Sequence, residues 1–199
     1  DSFEAPITIY FATRYIGPID FNDVNHDGIN DLTFNGNEEG KFMYLENLGD
    51  GTFENGGILL GHENRTEQIL TEDLNNDGFP DLISLIKYPG QIAWHRNEGD
   101  GTFGPLLTIS EDIESLSYAL FLDIDGDDDL DLILASESET PLVWFENLGD
   151  ESFGPQTSIS AGLFTTYNLL GIDIDLDGDT DLIRVTNGGN ELNYYENIC

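Results

Sequence analysis

Apolar and polar positions alternate in short runs along this chain, and the runs return every 50 residues. In the stretch 118–159 the alternation predicts four strands, A at 118–122, B at 130–135, C at 142–146 and D at 153–159. Strand B returns at 32–35, 82–86 and 182–186, and one position of strand C holds Tyr44, Trp94, Trp144 and Tyr194 in turn. Glycine-rich turns separate the runs, and no segment combines helical spacing with capping residues. The chain is therefore expected to be all-β. Four short antiparallel strands in a unit of this length is the pattern of a β-propeller blade. The expected organisation is a single β-propeller array over 1–199, with repeats at approximately 3–52, 53–102, 103–152 and 153–199.

The two ends of the chain fit together in the repeat frame. Ser2-Phe3 aligns with Thr52-Phe53, Thr102-Phe103 and Ser152-Phe153, inside a D strand, while Cys199 falls at the position of Gly49, Gly99 and Gly149. The N-terminal strand is thus expected to complete the last blade and close a ring of four, which would remove open strand edges. Half of an eight-bladed ring, shared between two chains, and a part of a larger propeller are the alternatives.

Composition changes this picture in one respect. A formal charge of −34 would ordinarily mark a disordered or tail-like chain. Here 17 of the 40 acidic residues lie inside four nine-residue loops between strands A and B, 14 of them at the spaced positions 1, 3, 5 and 9, so they read as ligands and not as a solvating block. The loops are DVNHDGIND, DLNNDGFPD, DIDGDDDLD and DIDLDGDTD. Positions 1, 3, 5 and 9 are Asp23, Asn25, Asp27 and Asp31 in the first, and Asp73, Asn75, Asp77 and Asp81 in the second. They are Asp123, Asp125, Asp127 and Asp131 in the third, and Asp173, Asp175, Asp177 and Asp181 in the fourth. Position 7, held by Ile29, Phe79, Asp129 or Asp179, is expected to offer its backbone carbonyl.

Such a shell of carboxylate, amide and carbonyl oxygens suits Ca2+ better than Mg2+, so about four ions are expected, one per repeat. Glycine at position 6 (Gly28, Gly78, Gly178) permits the positive φ that folds the loop back. The third loop departs, with Gly126 at position 4 and Asp128 at position 6, and aspartate tolerates the left-handed region better than most residues. Position 12 is Phe34, Ser84, Leu134 and Arg184, which excludes the helical loops that need a bidentate acid there. The negative charge also argues against nucleic acid. No apolar run approaches the roughly 18 residues of a membrane span, so no direct membrane insertion is expected.

The pattern D-x-[DN]-x-D-G-x-x-D-L, followed by W-x-x-N-x-G-D-G-T-F-G-P, resembles the FG-GAP or VCBS repeats of integrin-α-like propellers and bacterial surface proteins. The resemblance covers essentially the whole chain. It implies calcium-stabilised propeller blades in a secreted or cell-surface protein. It does not imply one activity, because such scaffolds host adhesion domains, lectins and appendages to polysaccharide-degrading enzymes.

In an up-and-down blade the A–B and C–D connections share one face and the B–C and D–A connections share the other. The first face repeats almost unchanged, whereas the second differs in every copy. On the variable loops lie Arg14, Tyr15, Lys41, His62, Arg65, Lys87, Tyr88 and Tyr167, the candidate ligand face for a carbohydrate or protein partner. The strand-C aromatics are expected to pack between blades, and Phe3, Phe53, Phe103 and Phe153 to lie in the core. His95 and Arg96 are expected on a strand surface, and His26 occupies a non-ligand loop position. A lone cysteine, Cys199, makes no internal bridge. The functional expectation is a non-catalytic extracellular binding module for adhesion or carbohydrate recognition. A lyase-type enzyme built on His62, Arg65, Lys87 and Tyr88, and a purely structural domain of a larger surface protein, are the alternatives. Homo-oligomerisation stays open.

Overall fold

Among the described residues fifteen strands form where the alternating runs meet the acidic loops and the C–D turns. The structure, a computed structural model, describes residues 5–10, 16–36, 41–61, 66–86, 90–111, 113, 116–136, 142–160, 165–187 and 191–198. The first sheet contains β1 (Ile16–Asn22), β2 (Asp31–Gly36), β3 (Lys41–Asn47) and β4 (Phe53–Gly61). The second contains β5 (Thr66–Glu72), β6 (Asp81–Ile86), β7 (Gln91–His95) and β8 (Leu107–Ser110). The third contains β9 (Leu116–Leu122), β10 (Asp131–Ser136), β11 (Leu142–Phe145) and β12 (Thr157–Ser160). The fourth has β13 (Thr165–Ile172), β14 (Asp181–Asn187) and β15 (Leu192–Tyr195). Each sheet is an antiparallel meander in chain order, and no helix occurs among the described residues. Four antiparallel sheets of three or four strands make an all-β, propeller-like fold.

The core lies between sheets. In β10 every residue is buried, and the two faces of the strand serve different neighbours. Leu132 and Leu134 join Ile83, Leu85 and Trp94 of the second sheet, while Ile133 and Ala135 join Leu169 and Leu182 of the fourth. Phe42 of the first sheet meets Ile69 and Leu82 of the second. A strand covered on both faces reads as a continuous apolar run, which is why strand B shows weaker alternation than strand A. Trp94 is buried with its ring edge-on to Phe153 at 6.5 Å, the packing role expected of that position.

Two departures have local causes. Strand D of the third repeat, expected from 153, begins only at Thr157, and Phe153 makes an isolated bridge with Asn147. Pro155 has no N–H to donate to the ladder, and Pro105 shortens β8 in the same way. The first repeat has Asn55 at that point, and its β4 runs unbroken from Phe53. Each A strand also carries a register shift near its start, between Ile16 and Ile19, Thr66 and Gln68, Leu116 and Tyr118, and Thr166 and Asn168. The recurrence at one position marks these bulges as built features of the blade.

Of the expected closing strand, residues 1–4 lie outside the described residues. Residues 5–10 carry no strand, and β15 has only β14 as a partner. Instead the Tyr10 ring rests on Phe34 at 5.0 Å, and its hydroxyl donates to Met43 Sδ at 3.4 Å. Contacts run from the first sheet to the second, from the second to the third and from the third to the fourth, chiefly through strand A of each sheet against strands A and B of the one before.

Candidate metal centre

The A–B loops fold through their own carboxylates. Asp23 Oδ1 accepts from the Asp27 N–H at 3.0 Å and its Oδ2 from the Gly28 N–H at 2.8 Å. Asp27 in turn accepts from the Ile29 N–H at 2.8 Å. The second loop repeats this, with Asp73 accepting from Asp77 and Gly78, and Asp77 from Phe79. Asp123 and Asp173 hold the same place in the third and fourth loops. Position 6 takes a positive φ in every loop, at Gly28 (89°), Gly78 (88°), Asp128 (72°) and Gly178 (104°). Asp128 thus adopts the left-handed conformation expected of it. Position 4 is left-handed too, at His26, Asn76, Gly126 and Leu176.

This folding drives acids together. Carboxylate oxygens of Asp123, Asp125 and Asp127 lie within 4.8 Å of one another, and so do those of Asp173, Asp175 and Asp177. The first two loops carry Asn25 and Asn75 at the middle position. A cavity lined by Asp123, Asp125, Gly126, Asp177, Asp179 and Thr180 opens between the third and fourth loops. Asp125 Oδ1 and Asp179 Oδ1 are buried without a hydrogen-bond partner. Burial and the neighbouring carboxylates raise the Asp125 carboxyl, and the same causes push Asp179 up to about 6. Unpaired oxygens beside like charges are costly, and a divalent cation with oxygen ligands would relieve both. The residues present therefore fit Ca2+.

Position 9 is engaged differently. Asp31, Asp81, Asp131 and Asp181 are fully buried and lie at the first residue of strand B. Each accepts a backbone N–H from the C–D turn, that of Asn47, Asn97, Asn147 or Asn197, at 2.7–2.9 Å. The second oxygen of Asp81, Asp131 and Asp181 accepts from the N–H at position 2 of its own loop. This carboxylate ties the acidic loop to the C–D turn, so both connections share one face, as expected. Burial pushes Asp81 and Asp131 up to about 6. Asp181, with no sheet beyond it, is held below the usual range by the Asn197 N–H.

A carboxyl raised in the fold holds its proton more tightly there than in the unfolded chain. Asp81 and Asp131 therefore stabilise the metal-free fold below the unfolded value, and that contribution is lost as pH climbs through about 6. In EDTA the melting temperature is expected to fall between about pH 5 and pH 7.5. Excess calcium should flatten or reverse the trend, because deprotonated ligands bind metal better. Thermal melts across that range, with and without metal, check it. A metal-free melting temperature that rises with pH would contradict it.

The same turn asparagines reach across sheets, a role that sequence alone did not reveal. Asn97 Nδ2 donates to the Val24 carbonyl at 3.0 Å, Asn147 to Leu74 at 2.9 Å, and Asn197 to Ile124 at 2.6 Å. Each fastens one sheet to the acidic loop of the preceding sheet. The signal was present as an asparagine recurring in the motif N-x-G-D. Arg184 is another unforeseen residue, buried with its Nε donating to Thr166 Oγ1 at 2.8 Å.

Of the candidate ligand face, the described residues include Lys41, at the start of β3, and Tyr167, exposed at the bulge of β13. They lie on different sheets. Arg14, Tyr15, His62, Arg65, Lys87 and Tyr88 fall outside the described residues, as do Phe3 and Cys199. His95 is not on a strand surface as expected. It is buried, its Nδ1 meets the Gly104 carbonyl at 3.1 Å, and desolvation lowers its pKa. Arg96 does lie at the surface, paired with Glu98 at 2.8 Å and Glu151 at 3.1 Å.

Consecutive antiparallel sheets, each with an aspartate-rich loop between its first two strands, define a propeller-like repeat protein. The chain belongs to the FG-GAP-like repeat family, whose profile matches at residues 23–84, 73–134 and 123–184. Among solved structures it is similar to an Agrocybe aegerita lectin described as recognising non-reducing terminal N-acetylglucosamine. The TM-score is 0.64 at 19% identity, over 89% of this chain and 51% of the lectin chain. It is also similar to a part of the Photorhabdus luminescens Tc holotoxin pore, with a TM-score of 0.58 at 18% identity, over 89% of this chain and 9% of that one. The chain thus spans about half the length of the lectin and a small part of the toxin chain. At these identities the likeness concerns the fold alone. No curated protein matches at the sequence level. Among the described residues no helix is long and apolar enough to cross a membrane.

Proposed function

We propose that this chain is a calcium-stabilised, extracellular or cell-surface binding module without catalytic activity, whose variable loop face takes a carbohydrate or protein ligand. The observation that carries the reading is the recurrence of the acidic loop in every repeat, with carboxylates converging in the third and fourth. In each loop, positions 1, 3, 5 and 9 would hold the ion through side chains and position 7 through its carbonyl, with position 9 also anchoring the loop to the blade. The ion's chemistry there is charge neutralisation. The chain's own part is to hold the turn, through the position-1 carboxylate and the left-handed residues at positions 4 and 6. The blades would then serve as a rigid platform for the loops on the opposite face.

FG-GAP-like membership supports both calcium and the extracellular setting. The likeness to a lectin supports the carbohydrate version over the protein version. A glycan array probed with the calcium-loaded protein is expected to show selective binding that weakens at least tenfold in Arg65→Ala/Lys87→Ala. Binding unaffected by that pair would move the ligand site elsewhere. Unsaturated products from an acidic polysaccharide would overturn the non-catalytic reading.

A further inference from the structure

Successive acidic loops are tied together through the residues that flank their ligand positions. In the second loop the Leu74 carbonyl lies between ligand positions Asp73 and Asn75, and it accepts the Asn147 amide at 2.9 Å. Asn147 is held by the third loop at two further points. Its N–H donates to Asp131 Oδ1 at 2.7 Å, and its amide also reaches the Leu130 carbonyl at 3.2 Å. One buried residue thus bridges position 2 of one loop to positions 8 and 9 of the next. The bridge recurs on either side. Asn97 joins the Val24 carbonyl to Asp81 and Pro80. Asn197 joins the Ile124 carbonyl to Asp181 and Thr180.

A second link joins the loop tips, and it differs between pairs. Asn76, between ligand positions Asn75 and Asp77, donates to Asp129 Oδ1 at 2.7 Å, and Asp129 occupies position 7 of the third loop. His26 and Phe79 hold the same two positions in the first and second loops and meet ring to ring at 4.5 Å. Between the third and fourth loops position 4 is Gly126, which has no side chain to offer, and a cavity opens there beside Asp179. Among the described residues that pair keeps the asparagine bridge without the tip contact.

We propose that Asn97, Asn147 and Asn197 are positioning residues through which the loops bind cations cooperatively, an inference that rests on the calcium reading above. In an empty loop the crowded carboxylates repel and favour a looser turn, and a bound ion removes that pressure. An ion in the third loop fixes Asp131 and with it Asn147. The turn between Asp73 and Asn75 is then already ordered when the second loop receives its ion. Ordering shared between two sites gives positive coupling without a change of fold. Linkage makes the effect mutual. Direct repulsion between ions opposes it, but salt at about 0.15 M screens exposed charges beyond roughly 8 Å, whereas the hydrogen-bonded bridge is untouched. The tip contact makes the coupling stronger between the second and third loops than between the third and fourth.

The position-6 amides of Gly28, Gly78, Asp128 and Gly178 each donate to the position-1 carboxylate of their own loop, so each reports on one site. The test follows these four amides by heteronuclear NMR while calcium is titrated into the metal-stripped chain. Asp125→Asn/Asp127→Asn removes two charges from the third loop and keeps an oxygen at each position. It is expected to weaken the second loop, read at Gly78, by about fivefold or more, and the fourth, read at Gly178, by less. Asp77→Asn should weaken the third loop in turn, read at Asp128. Asn147→Ala should weaken the second loop in the native chain and add little once the third loop is disabled. Asn76→Gly suits the left-handed backbone there and touches no core residue, so it tests the tip link in a folded chain. It should lower the coupling of the second and third loops to that of the third and fourth. A Gly78 midpoint that ignores the third-loop variant overturns the coupling while leaving calcium binding intact. An Asn147→Ala effect that persists in full with the third loop disabled overturns the bridge, because it marks a structural role alone. Four amides that ignore calcium refute the calcium reading itself, and the coupling falls with it.

Discussion

Stripping divalent ions is expected to lower the melting temperature by tens of degrees. An ion bound only by the folded state adds about 2.7 kcal/mol per site at a hundredfold excess over its dissociation constant. For a chain of this size each kcal/mol is worth about 2–4 °C, so every filled loop contributes roughly 5–10 °C. The sign follows from the loops themselves: the fold holds Asp123, Asp125 and Asp127 together, whereas an unfolded chain lets them separate. Removing the ion therefore restores a repulsion that only the native state feels. Calorimetry in calcium and in EDTA reads the shift directly. An unchanged melting curve, together with metal analysis showing no bound ion, would refute the calcium reading.

The second large effect is expected from Asn147→Ala. Its amide donates to the Leu74 and Leu130 carbonyls and its carbonyl accepts from Gly149, all at a buried site. Alanine leaves buried acceptors without a donor, at a cost of about 2–4 kcal/mol for the pair. Asn55→Ala is the comparison, since Asn55 is exposed and accepts from the nearby Gly57 N–H. It is expected to change stability by less than about 0.5 kcal/mol. Urea denaturation in calcium distinguishes the two. Equal losses would mean that the turn asparagines do not fasten neighbouring sheets.

The strand plan and the acidic loops were legible because a 50-residue period presents each element several times in register. Even the exchange of Gly126 and Asp128 in the third loop could be read, since left-handed φ restricts the residue types allowed. What escaped depends on partners distant in sequence. The A-strand bulges arise from the register between two strands, which neither strand encodes alone. The buried setting of His95 depends on the Gly104 carbonyl in the C–D turn. Strand D was extended too far because the apolar Phe153 outweighed the missing donor at Pro155. Ring closure rests on the angle between successive sheets, and the apolar pattern specifies which faces meet without fixing that angle.

Because apolar contact is concentrated where one sheet meets the next, the unit of stability is the seam and not the blade. An open row of blades has one seam fewer than it has blades, and a closed circle has as many seams as blades. Closing the circle therefore adds a complete seam without adding a residue, and blades can be gained or lost with no central hub to rebuild.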